Sequence, residues 1–199
     1  MEEREGAIIL INPFEVPAEA EDVFVDAWER AREFLKGQPG YIDTALHRAL
    51  ASDAEFRFIN VAQWESPQTL QAAMAQPEFP GREMPFRAHP ALYRVIREDG
   101  SDTEAGVVLI NAFEVPAGSE EDFIAGWERT RDVLKAKNAY LSTRLHQSLS
   151  PEADFRFVNI GRYESPQAFQ TAVQDPEFRQ AAASLAYRPR PGLYEVVRQ

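Results

Sequence analysis

Asn60 and Trp64 stand four positions apart in the segment FRFINVAQWESPQ. Successive side chains of a strand alternate between its two faces, so both would project from the same face. A carboxamide and an indole N–H are hydrogen-bond donors, and such donors can stabilise the oxyanion of a deprotonated phenol. The segment returns as FRFVNIGRYESPQ, which keeps Asn159 and has Tyr163 in place of the tryptophan. These four side chains are the candidate catalytic residues.

The same residues also have a purely structural interpretation. Asn60 can satisfy backbone groups at an irregular point of the strand, and Trp64 can belong to the core. A buried amide nevertheless needs hydrogen-bond partners that an apolar sheet face rarely offers. His47 and His146 are a second repeated pair and can act as bases near neutral pH. Strand alternation alone does not decide whether these histidines face a pocket.

Further residues fall on the face predicted for Asn60 or on the apolar stripes of two predicted helices. An apolar, aromatic pocket with a few polar groups suits a flat phenolic ligand. The candidate substrate-binding residues are Asn12, Phe14, Phe24, Trp28, Phe58, Leu70 and Met74 in the first half of the chain, and Asn111, Phe113 and Phe157 in the second.

The chain is an internal repeat with an offset of 99 residues. Asn12 corresponds to Asn111 and His47 to His146, and such self-similarity indicates two copies of one structural unit. We predict a first domain over residues 1–97, a polar linker over 98–105 and a second domain over 106–199. A unit of this size buries its core only marginally when alone, so packing of one copy against the other is expected.

Each copy reads as strand, helix, strand, strand, helix, strand. β-Branched runs with alternating faces indicate the strands, and Ser66-Pro67 opens the second helix as an N-cap followed by a first-turn proline. This order is that of the ferredoxin-like split βαβ arrangement. We therefore predict an α+β fold in which two tandem ferredoxin-like units form an intramolecular, pseudo-dimeric α/β barrel.

Composition restricts the function classes. The formal net charge of -11 disfavours binding to nucleic acid or to anionic membrane surfaces, which attract basic clusters. The chain has no cysteine, so disulfides, thiolate nucleophiles and cysteine-ligated metals are excluded. The sequence shows no metal-ligand cluster, and no apolar stretch is long enough to span a bilayer. The acidic N-terminus does not resemble a signal peptide, which predicts a cytoplasmic protein.

Both copies resemble the antibiotic biosynthesis monooxygenase family. The resemblance is carried by LINPFEVPAEAEDVFVDAWE and LINAFEVPAGSEEDFIAGWE, by the two third-strand segments, and by the PEF that follows each second helix. It implies a dimeric α/β-barrel fold with one pocket per unit between the sheet and its two helices. The quinone-forming members that need no cofactor use an asparagine and a tryptophan four residues apart, which match Asn60 and Trp64.

The match to these members is incomplete. The tyrosine that follows their tryptophan falls near Leu70 and Phe169. In the haem-degrading branch, the first-strand asparagine matches Asn12, but the haem-ligating histidine falls on Glu83 and Ala182, so no axial ligand is in place. The resemblance therefore implies an oxygenase without metal or other cofactor.

We expect a cofactor-independent monooxygenase that oxidises a phenol- or anthrone-type aromatic compound with O2. The alternatives are a non-enzymatic binding module for a hydrophobic metabolite or haem, and a cyclase or isomerase on the same fold. The expected partners are a small aromatic substrate, O2 and a second copy of the two-repeat chain.

Overall fold

The computed structural model describes residues 7–101 and 105–199, apart from the side chain of Glu83. The chain divides into two units. Unit 1 contains residues 1–94 and 196–199, and unit 2 contains residues 95–195.

Unit 1 follows the predicted order of elements, with two short additions. A 3-10 turn precedes the first helix, and the segment after the second helix forms another 3-10 turn and a two-residue strand. The elements are β1 (Ile8–Glu15), α1 (Glu21–Lys36), β2 (Tyr41–Ala49), β3 (Phe58–Trp64), α2 (Pro67–Ala75), β4 (Arg87–Ala88) and the first part of β5 (Ala91–Gly100).

Unit 2 repeats this order, and a full helix replaces the 3-10 turn after its second helix. The sequence FRQAAASLAY predicted this difference. The elements are β6 (Val107–Phe113), α3 (Glu120–Ala136), β7 (Ser142–Ser148), β8 (Phe157–Tyr163), α4 (Pro166–Gln174), α5 (Pro176–Ala183) and most of β9 (Pro189–Arg198).

The strand pairing within each unit is that of a ferredoxin-like sheet. In unit 1, β1 is antiparallel to β3 on one side and to β5 on the other, and β2 pairs with the far edge of β3. In unit 2, β6 lies in the same way between β8 and β9, with β7 beyond β8. Two tandem ferredoxin-like α+β units, as predicted, are therefore present.

The ends of β5 and β9 each complete a unit. Residues 95–100 belong to unit 2, where Arg97 pairs with Glu128 at 2.5 Å. Residues 196–199 belong to unit 1, where Arg198 pairs with Glu29. The sequence predicted that β5 would end at Arg97 and that a linker would follow, but the strand continues to Gly100.

Local sequence explains where the helices begin. Ser66 caps α2, because its hydroxyl accepts a hydrogen bond from the backbone N–H of Thr69 at 3.2 Å, and Pro67 occupies the first turn. The spacing of Ser119 and Asp122 in the sequence resembles an N-capping pair, but the Ser119 side chain makes no capping bond to α3. The Glu120 carboxylate instead accepts the Gly118 backbone N–H at 2.7 Å.

The core of each unit lies between its sheet and its helices. In unit 1, Phe24 of α1 packs between Phe14 and Phe58 of the sheet and is fully buried. Burial of a side chain of this size stabilises a fold by roughly 1.5–3 kcal/mol. In unit 2, Phe123 packs in the same way between Phe113 and Phe157. Among the described residues, no helix is long and apolar enough to cross a membrane.

Candidate functional site

A cavity of about 180 Å³ lies between the sheet of unit 1 and its helices. The lining combines side chains from β1, α1, β2, β3 and α2 with residues of the irregular segment that follows α2. The lining residues are Leu10, Asn12, Phe14, Trp28, Ala31, Arg32, Leu35, Tyr41, Thr44, Asn60, Ala62, Trp64, Leu70, Met74, Phe79, Gly81, Met84, Phe86 and Ala88.

The side-chain amide of Asn60 is held in one orientation. Its Oδ1 accepts hydrogen bonds from Trp28 Nε1 at 3.0 Å and from Thr44 Oγ1 at 2.8 Å. An indole nitrogen can only donate, so the Asn60 atom that it contacts must be the carbonyl oxygen. The amide nitrogen Nδ2 is consequently the group that Asn60 can offer to a ligand in the cavity.

Asn12 lies directly opposite Asn60 in the pairing of β1 with β3. Its Oδ1 is buried and has no hydrogen-bond partner. A buried acceptor without a donor costs free energy, and a site that binds a polar ligand is one place where such atoms occur. The two asparagines therefore bring a donor and an acceptor to the same wall of the cavity.

Aromatic and apolar side chains form the remaining walls. Trp64 is completely buried, and the ring of Tyr41 meets it edge to face with 5.6 Å between ring centres. Burial raises the pKa of the Tyr41 hydroxyl. Leu70 is buried beside Trp64, whereas Met74 is partly exposed and marks an open side of the cavity.

Two of the substrate-binding residues predicted in unit 1 do not line the cavity. Phe24 and Phe58 stack on each other with 4.6 Å between ring centres and are almost fully buried. Phe14 contacts Phe24 edge to face at 4.8 Å and is the member of this cluster that reaches the cavity. The predicted residues that do line it are Asn12, Phe14, Trp28, Asn60, Trp64, Leu70 and Met74.

The corresponding residues of unit 2 are arranged differently around their asparagine. Asn159 Oδ1 accepts from Thr143 Oγ1 at 2.8 Å, as its counterpart in unit 1 does. Trp127, the counterpart of Trp28, instead lies under the guanidinium of Arg131, 5.4 Å from the ring centre. Asn111 again has a buried Oδ1 without a partner.

The space near Asn159 also differs. Leu185 packs so closely on α3 that a Cβ added at Gly126 would lie 2.9 Å from its methyl group. Burial raises the pKa of Tyr163 to about 12, and this ring packs edge to face on Phe169 at 5.1 Å. Phe113 and Phe157 are core residues.

The described cavity of unit 2 lies elsewhere. It has a volume of about 350 Å³ and is lined by the end of α3, by residues 137–141 between α3 and β7, and by helix α4 with its flanking residues. None of the five candidate residues of unit 2 lines it. Of the two cavities described, the one in unit 1 is therefore the one that predicted site residues line.

The repeated histidines lie on the other face of the sheet. His47 pairs in register with Ile59, next to Asn60 but of opposite parity, and its Nδ1 lies 3.3 Å from the Ile59 carbonyl oxygen. His146 Nδ1 lies 3.1 Å from the Val158 carbonyl oxygen. Burial lowers the pKa of His146 to about 4. Both side chains are buried, and neither lines a described cavity.

Three of the lining residues that carry polar groups were not identified from the sequence. Thr44 donates to Asn60, Arg32 brings a charge to the cavity, and Tyr41 packs on Trp64. All three recur in the second copy, as Thr143, Arg131 and Tyr140, and this repetition was the available signal. In the part of the chain that the structure describes, no group of three or more His, Asp or Glu side chains is placed to hold a metal ion.

Comparison with known proteins shows what the chain is similar to. The sequence profile described as Antibiotic biosynthesis monooxygenase matches residues 7–80 and 106–184, more than half of the chain. A solved structure of an anthrone oxidase-like protein matches 99% of this chain and 93% of its own, with a TM-score of 0.77 and 17% sequence identity. A candidate monooxygenase from Fusobacterium nucleatum matches 96% of this chain and 93% of its own, with a TM-score of 0.64 and 9% identity.

A shorter candidate monooxygenase from Shewanella loihica PV-4 is 40% identical over 46% of this chain and 96% of its own, with a TM-score of 0.42. A search among curated proteins finds no match. The similarities to the anthrone oxidase-like and Fusobacterium proteins concern the fold, and they confirm the fold class predicted from the sequence.

Proposed function

Because the chain belongs to the antibiotic biosynthesis monooxygenase family, we propose that unit 1 binds a phenolic aromatic compound in its cavity and oxidises it with O2 without a bound cofactor. The observation that carries this proposal is the fixed amide of Asn60. Trp28 and Thr44 occupy its oxygen, so its N–H groups remain for the oxygen of a ligand. A donor held in place before the reaction stabilises a developing oxyanion without reorganisation.

The size of the cavity favours a small substrate. A cavity of about 150 Å³ accepts benzene, so a volume of about 180 Å³ suits one or two aromatic rings as the cavity stands. The name of the anthrone oxidase-like relative suggests substrates with three fused rings. Such a ligand requires the side of the cavity near Met74 to open. We therefore propose a naphthol-type substrate ahead of an anthrone.

The chemistry needs no group beyond the substrate and O2. A phenolate transfers one electron to O2, and the resulting superoxide combines with the ring at the carbon para to the oxygen. Proton transfer to the peroxide and loss of water then leave a quinone. One oxygen atom of O2 enters the ring and the other leaves as water, so no external reductant is consumed.

The residues of the cavity have separate tasks in this scheme. Asn60 Nδ2 donates to the phenolate oxygen, and Asn12 Oδ1 accepts from a second hydroxyl of the substrate. Trp64 and Leu70 cover the ring and exclude water, which strengthens the hydrogen bonds inside. The described lining residues include no carboxylate and no histidine, so the phenol loses its proton to solvent or enters already ionised.

The test is oxygen uptake by chelator-treated protein with 1,5-dihydroxynaphthalene and with 1,8-dihydroxyanthrone, each corrected for autoxidation. Removal of one oxyanion donor typically lowers kcat by about 100-fold or more, which is the loss expected for Asn60→Ala. Asn159→Ala is the matched control and should retain activity within about threefold. Labelled O2 should leave one labelled atom in the quinone.

Equal losses in Asn60→Ala and Asn159→Ala would contradict a single site in unit 1. Uptake that disappears with the chelator would contradict the absence of a cofactor. Ligand binding without uptake would favour the binding module, and turnover under argon would favour a cyclase or isomerase.

A further inference from the structure

The cavity of unit 1 contains a single charged side chain. Arg32, on α1, is the one cationic residue among the described lining residues, and none of these residues is acidic. This contrasts with the chain as a whole, in which 32 acidic residues outnumber 21 basic ones. The lining of the cavity therefore carries one basic side chain and no acidic one, within an acidic protein.

The guanidinium of Arg32 is held in place but not saturated. Its Nη1 donates to the Glu33 carboxylate at 2.7 Å, and its Nη2 donates to the backbone oxygen of Gln199. Its Nε is buried and has no hydrogen-bond partner. Glu33 is 63% exposed, so solvent screens much of its charge, whereas the Arg32 side chain is only 18% exposed.

Residues 196–199 support this position of Arg32. Val197 packs on the core cluster that contains Trp28, and Arg198 pairs with Glu29 one turn before Arg32. These contacts place the Gln199 oxygen against Nη2 of Arg32. The buried Nε–H lacks an acceptor, which a bound anion can supply.

The positive charge of Arg32 already acts on one phenol group in the cavity lining, the side chain of Tyr41. Burial raises the pKa of the Tyr41 hydroxyl, and the positive charge of Arg32 acts against that rise. A bound phenol or carboxylic acid would experience the same stabilisation of its ionised form. Guanidinium groups are also the side chains best suited to carboxylate oxygens.

The second copy provides a contrast. Arg131 corresponds to Arg32, but both its Nε and its Nη2 donate to Asp132, at 2.9 and 2.7 Å. Its guanidinium also stacks over Trp127. The Nε–H of Arg131 thus has an acceptor, whereas the Nε–H of Arg32 has none.

We propose that Arg32 is the anion-binding and specificity-determining residue of the unit 1 cavity, which therefore selects an aromatic ligand bearing an anionic oxygen over a neutral one. The anionic oxygen is a carboxylate substituent or an ionised ring hydroxyl. This inference rests on the proposed function in one respect: both concern ligand binding in the same cavity of unit 1.

The experiment measures dissociation constants by isothermal titration calorimetry at neutral pH. 2-Naphthoate and 2-naphthamide have nearly the same shape and differ in charge. A hydrogen bond to a charged group makes a tenfold to hundredfold difference, so Arg32→Gln should weaken naphthoate binding by about 10- to 100-fold. Naphthamide binding should change by less than about threefold. Arg131→Gln removes the same charge from unit 2 and should leave the affinity of the unit 1 site unchanged.

A second ligand pair identifies the source of the anionic oxygen. 4-Nitro-1-naphthol is ionised at neutral pH, and its methyl ether is not. If Arg32 is needed for the preference for naphthoate, the ligand group that it binds is a carboxylate. If Arg32 is needed for a preference for the nitronaphtholate, the group is an ionised ring hydroxyl. Equal affinity of the wild-type protein for charged and neutral members of both pairs would overturn the proposal.

Arg32→Lys covers the case in which Arg32→Gln fails to fold. It retains the charge, lacks the Nε–H donor, and should keep only part of the preference for naphthoate. Loss of oxygen uptake in Asn60→Ala without any effect of Arg32 on charge preference would leave the proposed function standing and overturn this inference. An Arg32-dependent charge preference without oxygen uptake would leave this inference standing and overturn the proposed function.

Discussion

Trp28 and Asn60 are 32 positions apart in the chain and are joined by a hydrogen bond of 3.0 Å from the indole Nε1 to the amide Oδ1. The donor lies on α1 and the acceptor on β3. An indole cannot accept, so this contact decides which end of the amide faces a ligand. Helix α1 thus determines that Asn60, on the sheet, presents its amide N–H groups to a ligand.

Trp28→Phe tests this role. The substitution keeps most of the aromatic packing but removes the donor, so the Asn60 amide can rotate. We expect kcat/KM for oxygen uptake to fall by about tenfold, the effect of one hydrogen bond of roughly 1.4 kcal/mol. Trp127→Phe is the matched control and should leave the rate unchanged. A rate loss that merely follows a lowered thermal stability in both variants would argue against an orienting role.

Thr44 gives Asn60 its second donor, and Thr44→Val removes that donor at nearly constant volume. We expect the free energy of unfolding to fall by about 1 kcal/mol, because one acceptor bond of a buried amide is lost. Thr143→Val, in unit 2, should lower the free energy of unfolding by a similar amount. Urea denaturation measures both, and oxygen uptake should decline only in the Thr44 variant. Equal activity in the two variants would contradict the assignment of the site to unit 1.

The sequence predicted the faces of the strands better than the contacts between elements. Strand alternation placed Asn12, Asn60 and Trp64 on one face, and the structure agrees, because a side-chain period of two leaves little freedom. It could not predict that Phe24 and Phe58 would stack on each other instead of lining the cavity. That outcome depends on how α1 crosses the sheet.

Arg32 illustrates a second limit. Its position on α1 lies outside the apolar stripe, and charged residues there are ordinarily exposed. Arg32 nevertheless lines the cavity. Its guanidinium donates to the backbone oxygen of Gln199, which is 167 positions away in the sequence. Neither hydrophobic periodicity nor spacing contains information on a partner so distant in the chain.

His146 should make the protein sensitive to acid. Burial lowers its pKa to about 4, from 6.5 in an unfolded chain, with a smaller contribution from the charge of Arg144. Between these two pH values the unfolded state binds a proton that the folded state does not, so the free energy of unfolding rises with pH. Acidification from 6.5 towards 4 should therefore remove roughly 3 kcal/mol of stability.

Urea titrations at several pH values measure this loss. His146→Gln keeps a hydrogen-bonding side chain that does not titrate, so its unfolding free energy should depend less steeply on pH in this window. Identical pH dependence in the wild type and in His146→Gln would show that other groups dominate the acid response.

The pH dependence of the rate should follow the substrate and not the protein. No described lining residue is a carboxylate or a histidine, and burial keeps the pKa of Tyr41 above its ordinary value. The step that activates the phenol is then its own ionisation, so kcat/KM should rise as the pH approaches the phenol pKa. Two dihydroxynaphthalenes with different phenol pKa values should give profiles displaced by the same difference. A midpoint that stays fixed for both substrates would instead reveal a protein base, and the mechanism proposed for Asn60 would then need a proton acceptor in addition.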